Sequence, residues 1–173
     1  MLSLLKSNKG MTLLEIIVAL IIFAIGILSM GMMIPYSTRK ITHAKARTTS
    51  VMLTQRFLDE IVDKTFDEKE ADGTLAGINP VTAQDMTAPG MLGPDGGETI
   101  DTFDDLDDYN GVVLDPVPNN ARFKAAFSVT YCQDNGDTTS TSQTFYKKIT
   151  VQITPVGGNE PVSISTVVSY KGQ

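Results

Sequence analysis

From Met11 to Ile34 the chain runs 24 residues with a single ionisable side chain, Glu15, in an otherwise largely apolar stretch. As a helix rising ~1.5 Å per residue it would reach ~36 Å, enough to cross a ~30 Å hydrocarbon core with some tilt. Ile16, Ile17, Val18, Leu20, Ile21, Ile22 and Ile25 leave no polar face, the pattern of a helix embedded in lipid or in a bundle. An ordinary secretory signal does not fit. Its apolar region would be ~7–15 residues and would end in a small-x-small site, whereas this run ends at Met32-Met33-Ile34-Pro35. A lipoprotein signal would need a Cys near the cut, and the only Cys is Cys132. The segment is therefore expected to stay with the mature protein as an anchor. Gly26, Ser29, Gly31 and Pro35 predict a kink or weak turn near its distal end. Gly26 and Gly31 are five apart, so no GxxxG pair is present.

Beyond Pro35 the period persists but the composition changes. Ile41, Ala44, Thr48, Val51, Met52, Leu58, Ile61 and Val62 recur at spacings of three and four, predicting an amphipathic helix over 36–66 with one stripe on a sheet. Arg39, Lys40, Lys45 and Arg47 fall on the other face, which suits either lipid phosphates or plain solvation. His43 is the only histidine, so no His-based metal site is expected. Over 67–120, Gly, Pro, Asp and Thr dominate, with turn signals at Ala88-Pro89-Gly90 and Gly93-Pro94-Asp95-Gly96-Gly97. An irregular stretch of that length in a small domain suggests a functional loop or an insert. No Gly-Lys-Ser/Thr follows Gly97, so it is not a phosphate loop. Over 121–173 the period drops to two: Phe123, Ala125, Phe127, Val129, Tyr131; then Phe145, Ile149, Val151, Ile153; then Val162, Ile164, Val168, Tyr170. Asp134-Asn135-Gly136-Asp137 and Val156-Gly157-Gly158-Asn159 supply turns between them. Such a meander needs a cover for its apolar face, and the amphipathic half of the helix can provide it.

The junction before the apolar run is the most specific motif. Lys9-Gly10-Met11-Thr12-Leu13-Leu14-Glu15 places a basic leader, a glycine and one carboxylate within a few residues. Thr12-x-x-Glu15 fits a helix capping box, and Glu15 could also snorkel to an interface. A carboxylate beside an apolar core otherwise marks a partner or a function. This segment resembles the type IV prepilins and type II secretion pseudopilins. The resemblance implies cleavage after Gly10 by a prepilin peptidase, N-methylation of Met11, and pairing of Glu15 with the terminal amine of a neighbouring subunit. The usual first residue of that family is Phe, so Met11 is a departure. It further implies an α+β pilin fold, a long N-terminal α-helix packed on a C-terminal antiparallel β-sheet of three to four strands. The expected organisation is a leader over 1–10, an assembly helix over 11–35, an amphipathic helix over 36–66, the loop region, and the meander. Other pilins would be partners through the N-terminal helix bundle, and inner-membrane lipid before assembly. A plain count of Lys6 and Lys9 against Arg39, Lys40, Lys45 and Arg47 would put the C-terminal side in the cytoplasm. The resemblance implies the opposite, a bacterial inner-membrane protein with its C-terminal domain in the periplasm and later in a pilus or pseudopilus.

A second motif lies in the loop region. Asp101-Thr102-Phe103-Asp104-Asp105-Leu106-Asp107-Asp108-Tyr109-Asn110-Gly111 has six acidic or amide side chains and no basic one. Asp104, Asp105, Asp107, Asp108 and Asn110 are candidate ligands of a calcium ion, which favours carboxylate and carbonyl oxygens. The string is not in EF-hand register, because Leu106 stands two before Asp108 and no closing Glu follows. The favoured alternative is a solvated acidic loop pinned by Phe103, Leu106 and Tyr109. The string is similar to ones in minor pilins of the pilus-modification and mannose-sensitive types. Without Lys6 and Lys9 the fourteen basic residues fall to twelve against twenty acidic ones, a formal charge of −8, so no direct nucleic-acid partner is expected. No catalytic signature is present, and Cys132 reads as a small buried residue on a strand. The expected protein is a minor pilin and not an enzyme, without cofactor unless calcium binds. The alternatives are a pseudopilin of a secretion or DNA-uptake machine, or a membrane-anchored calcium- or ligand-binding module that does not assemble.

Overall fold

The computed structural model describes residues 11–157 and 160–172, and the side chains of all of these but Met32, Ile34, Pro35 and Tyr36. Gly10 and the leader lie outside the described residues, as do Gly158 and Asn159 of the last predicted turn. The chain forms two compact units, Met1–Ala44 and Lys45–Gln173.

Helix α1 (Leu13–Val62) contributes to both. Its start is set by Thr12, whose carbonyl accepts from the N–H groups of Glu15 and Ile16 at 3.1 and 3.2 Å, and whose hydroxyl accepts from Glu15 N–H at 3.4 Å. That satisfies part of the unpaired first turn. The helix continues without interruption through Gly26, Gly31 and Pro35, so the expected weak turn is not present in the single chain. In the first unit, Leu13, Leu14, Ile16, Ile17, Leu20, Ile21, Ile22 and Phe23 are all exposed. Leu13–Gly31 is long and apolar enough to cross a membrane.

In the second unit α1 buries Ser50, Thr54, Phe57, Leu58 and Ile61, while Val51, Met52 and Val62 are exposed. The buried stripe therefore lies to one side of the one expected from apolar spacing alone. Two hydroxyl residues belong to it; the helix satisfies one of them internally, Thr54 Oγ1 donating to Ser50 O at 2.8 Å, while Ser50 Oγ is buried without a partner among the described residues. Short side chains there let the helix approach, and Phe57 then meets Phe127 edge-on at 5.1 Å.

The region from 67 to 120 is built from short pieces: helix α2 (Glu68–Ala71), 3₁₀ turns at Ala83–Asp85, Pro89–Met91 and Asp107–Tyr109, and strand β1 (Val113–Leu114). Strands β2 (Phe123–Tyr131), β3 (Tyr146–Pro155) and β4 (Val162–Ser169) follow. They form one antiparallel sheet in the order β1-β2-β3-β4, with Phe127 opposite Val151 and Val151 opposite Ile164. Alternation fixes which face is inside, since a one-residue slip would expose every core side chain. β2 buries Phe123, Ala125, Phe127, Val129 and Tyr131, and β3 buries Ile149, Val151 and Ile153. Cys132 is buried just past β2, bridged to Thr139 across the hairpin. At that hairpin's tip Gly136 has φ 72°, and a Cβ there would meet Val167 Cγ2 at 2.5 Å, so only glycine fits. The chain is thus α+β, a long N-terminal helix followed by a four-stranded antiparallel sheet, consistent with a pilin fold.

Candidate functional site

Two places carry the chemistry expected from the sequence. The first is the start of α1. Met11 and Glu15 are exposed, and among the described residues no hydrogen bond is made by the Glu15 carboxylate. Only the Thr12 half of the capping box is formed, which leaves the acid group available to another molecule. In the Leu13–Gly31 segment it is the only ionisable side chain.

The second is the acidic string, and it is not a solvated loop. Thr65, just after α1, pairs with it as a short parallel bridge: Thr65 N–H donates to Asp104 O at 3.2 Å and Leu106 N–H to Thr65 O at 3.0 Å. Phe103, Leu106 and Tyr109 then insert into the core, Tyr109 packing edge-on against Phe103 at 5.0 Å and Phe127 at 5.7 Å. Those anchors draw the intervening carboxylates inward, so that Asp105, Asp107 and Asp108 are 0–2% exposed.

Buried carboxylates need partners. Asp107 has one in Lys147, whose Nζ lies 2.6 Å from Asp107 Oδ1 and 2.7 Å from Asp67 Oδ2 and donates to Phe66 O at 2.8 Å. The ammonium also stands over the rings of Phe66 and Tyr131, at 4.5 and 5.1 Å. Asp67 accepts in addition from Thr87 N–H at 3.0 Å, Thr87 Oγ1 at 2.8 Å and Tyr131 OH at 3.1 Å. Burial works to raise the pKa of Asp67, but Lys147 and the Thr87 hydrogen bonds override it and hold the carboxyl below its ordinary value. Asp107 is pushed by burial up to about 6 despite Lys147. This centre joins α2, the Thr87 loop, β2 and β3. Asp67 is fully hydrogen-bonded there, whereas Asp107 is held by the charge of Lys147 alone, its oxygens accepting no hydrogen bond among the described residues; the centre is a structural tie.

The other acids lack such a cation. Glu68, Asp105 and Asp108 each present a carboxylate oxygen within 4.8 Å of the others, and so do Glu98, Asp104 and Asp108. Asp108 Oδ2 accepts from Asp104 N–H at 3.1 Å, and Asp105 Oδ1 accepts from Asp108 N–H at 3.0 Å. Burial, then the neighbouring charge of Asp107, drives Asp105 up to about 8. Burial, then Asp95, drives Glu68 to about 7; burial, then Glu98, drives Asp108 to about 6. Of the residues singled out in the sequence, Asp105 and Asp104 each converge on Asp108, in two separate groups. Asp107 is held by Lys147, and Asn110 bridges two segments, donating to Leu92 O and accepting from Val129 N–H, both at 3.1 Å.

Glu68 and Glu98 were not legible as partners of the string, because Glu68 lies in a mixed-charge run at the start of α2, 37 residues before Asp105, and Glu98 stands alone among loop residues. Lys147 did leave a signal. It holds the same phase of β3 as Ile149, Val151 and Ile153, so the alternation itself places a lysine on the inward face.

Compared with known proteins, residues 5–31 match the family described as the prokaryotic N-terminal methylation motif. The match spans the basic leader, Gly10, Met11, Glu15 and the apolar helix through Gly31. The N terminus is therefore type IV prepilin-like, with a helix long and apolar enough to cross a membrane, which supports a pilin- or pseudopilin-type structural subunit. The motif implies processing by prepilin peptidase and assembly with other pilins. No curated protein and no solved structure matches the chain.

Proposed function

We propose that the chain is a minor pilin, cut after Gly10, N-methylated at Met11 and assembled into a type IV pilus through residues 11–35. The observation that carries this reading is the methylation motif at 5–31 leading directly into an exposed apolar helix, Leu13–Gly31. Cleavage creates an ammonium on Met11 that has no acidic partner in its own apolar run except Glu15. Two parallel helices displaced along their axis would bring the Glu15 carboxylate of one to the amine of the other. In a low-dielectric bundle an unpaired charge is strongly unfavourable, so this pair selects one axial register out of many apolar ones. The periplasmic placement of residues 45–173 and the prepilin peptidase and pilin partners belong to the same reading.

Mass spectrometry of the N-terminal peptide tests it, on sheared surface filaments and on membranes of the same cells. A peptide beginning at N-methylated Met11 in the sheared fraction is the expected result. The same peptide confined to membranes would favour a pseudopilin, which shares this N-terminal physics. An intact Met1–Gly10 leader in both would sink the assembly reading and leave a membrane-anchored module.

A further inference from the structure

Among the described residues, Asp105 Oδ2 is sealed from solvent and accepts no hydrogen bond, although the residue is 0% exposed. Its carboxylate converges with those of Glu68 and Asp108, each offering an oxygen within 4.8 Å of the others. The lysines nearest in the fold are otherwise engaged. Lys147 is shared by Asp67 and Asp107, Lys64 donates to Phe103 O at 2.6 Å, and Lys69 donates to Asp85 O at 2.9 Å. The charge of Lys147 reaches Asp105 but is outweighed by burial and the neighbouring acids, and a fully buried carboxylate oxygen that accepts no hydrogen bond is unfavourable.

We propose that Glu68, Asp105 and Asp108 bind one Ca²⁺ ion that ties helix α2 to the acidic string. The spacing is compatible with the ion: any two oxygens about 2.4 Å from a common centre lie no more than about 4.8 Å apart. The ion supplies the missing partner of Asp105 Oδ2 and relieves the mutual repulsion of the three acids. Asp104 and Glu98, which also converge on Asp108, are exposed and half-buried respectively and extend the negative field toward solvent. A cavity of about 290 Å³ lined in part by Glu68, Asp95 and Asp108 leaves room for the waters that complete calcium's coordination. Mg²⁺ fits less well, because it demands near-ideal octahedral geometry and gives up its water reluctantly. Sequence alone offered Asp107 and Asn110 to the metal; Asp107 Oδ1 is paired with Lys147 and Asp107 does not converge with the three acids, Asn110 is used in hydrogen bonds to two segments, and Glu68 takes the ligand position from a segment 37 residues before Asp105. The site is independent of N-terminal processing.

The full chain in detergent, stripped with a chelator, should be titrated with CaCl₂ by calorimetry, with thermal unfolding followed in parallel. Expected are one saturable event with Kd below about 1 mM, in the range of extracellular calcium modules, and an unfolding midpoint that rises with Ca²⁺ and far less with equal Mg²⁺. Asp105→Asn and Glu68→Gln should each weaken binding by at least about tenfold, a loss seen even for outer-shell partners of metal sites. Asp115→Asn, in the exposed pair with Lys124, should bind like the parent. Absence of saturable binding by the folded parent at about 10 mM Ca²⁺, well above the affinity range of such modules, would overturn the site. So would an equal response to Mg²⁺, or parental affinity in Glu68→Gln. Because Glu68 is only half-buried, that last variant decides the matter even if Asp105→Asn does not fold.

Discussion

Along 13–31 the apolar side chains face outward and none is buried, whereas in residues 45–173 it is charge that lies inside, with Asp67, Asp105, Asp107, Asp108 and Lys147 all at most 2% exposed. Each arrangement is unfavourable in water. An exposed Leu, Ile or Phe forgoes roughly 1.5–3 kcal/mol that burial would give, and a buried unpaired ion forgoes more. The two units resolve the problem differently. The first must find its environment outside the chain, in lipid or in other helices. The second resolves part of it internally, with one lysine serving two aspartates, while Asp105 and Asp108 converge with the half-buried Glu68.

That contrast can be broken at four points. The largest effect is expected from Glu15→Ala: the variant should still be cut and methylated, yet its incorporation into filaments should fall to background in shearing assays. Unchanged incorporation would show that apolar packing alone sets the register. Next is Lys147→Met, which leaves Asp67 and Asp107 buried without their cation. Removing one partner of a buried pair typically costs about 3–5 kcal/mol, so chemical denaturation should show a loss of that order, largely recovered when Asp67→Asn and Asp107→Asn are added. A smaller effect should follow pH in the metal-free chain. Glu68, Asp105, Asp107 and Asp108, raised to about 7, 8, 6 and 6, bind more protons folded than unfolded as pH falls from about 8 toward the ordinary carboxylate range. Stability should therefore rise on mild acidification in chelator. It should then fall once pH drops through the depressed pKa of Asp67, whose contribution is present only while it is ionised. A midpoint that declines steadily from pH 8 would contradict those shifts. The smallest effect belongs to Thr12→Ala, where loss of the N-cap should destabilise the first turn by about 1 kcal/mol, visible as faster amide exchange at Glu15 and Ile16 with no change downstream.

The long helix and three of the four strands are legible in the sequence because their periods of 3.6 and 2 persist over many residues. β1 is not, since two residues, Val113 and Leu114, carry no period. The buried stripe of α1 is misplaced by apolar counting because Ser50 and Thr54 belong to it; Thr54 looks polar only until its bond to the preceding turn is counted, and Ser50 is small enough to be carried in beside it. The burial of the acidic string was hidden for a related reason. Phe103, Leu106 and Tyr109 announce that it is pinned, but nothing local announces that Thr65, nearly forty residues earlier, draws its backbone in. Local pattern reports which residues want to be inside. It is silent on which charged residues are carried in with them.

Cys132 is the chain's one thiol, wholly buried, and burial pushes its ionisation up, away from the reactive thiolate. A cysteine introduced at an exposed position such as Ile17 or Met52 would then be the only handle open to oxidants and maleimides. Neighbouring copies could be mapped position by position, by which pairs crosslink, on a chain whose native residues are otherwise untouched.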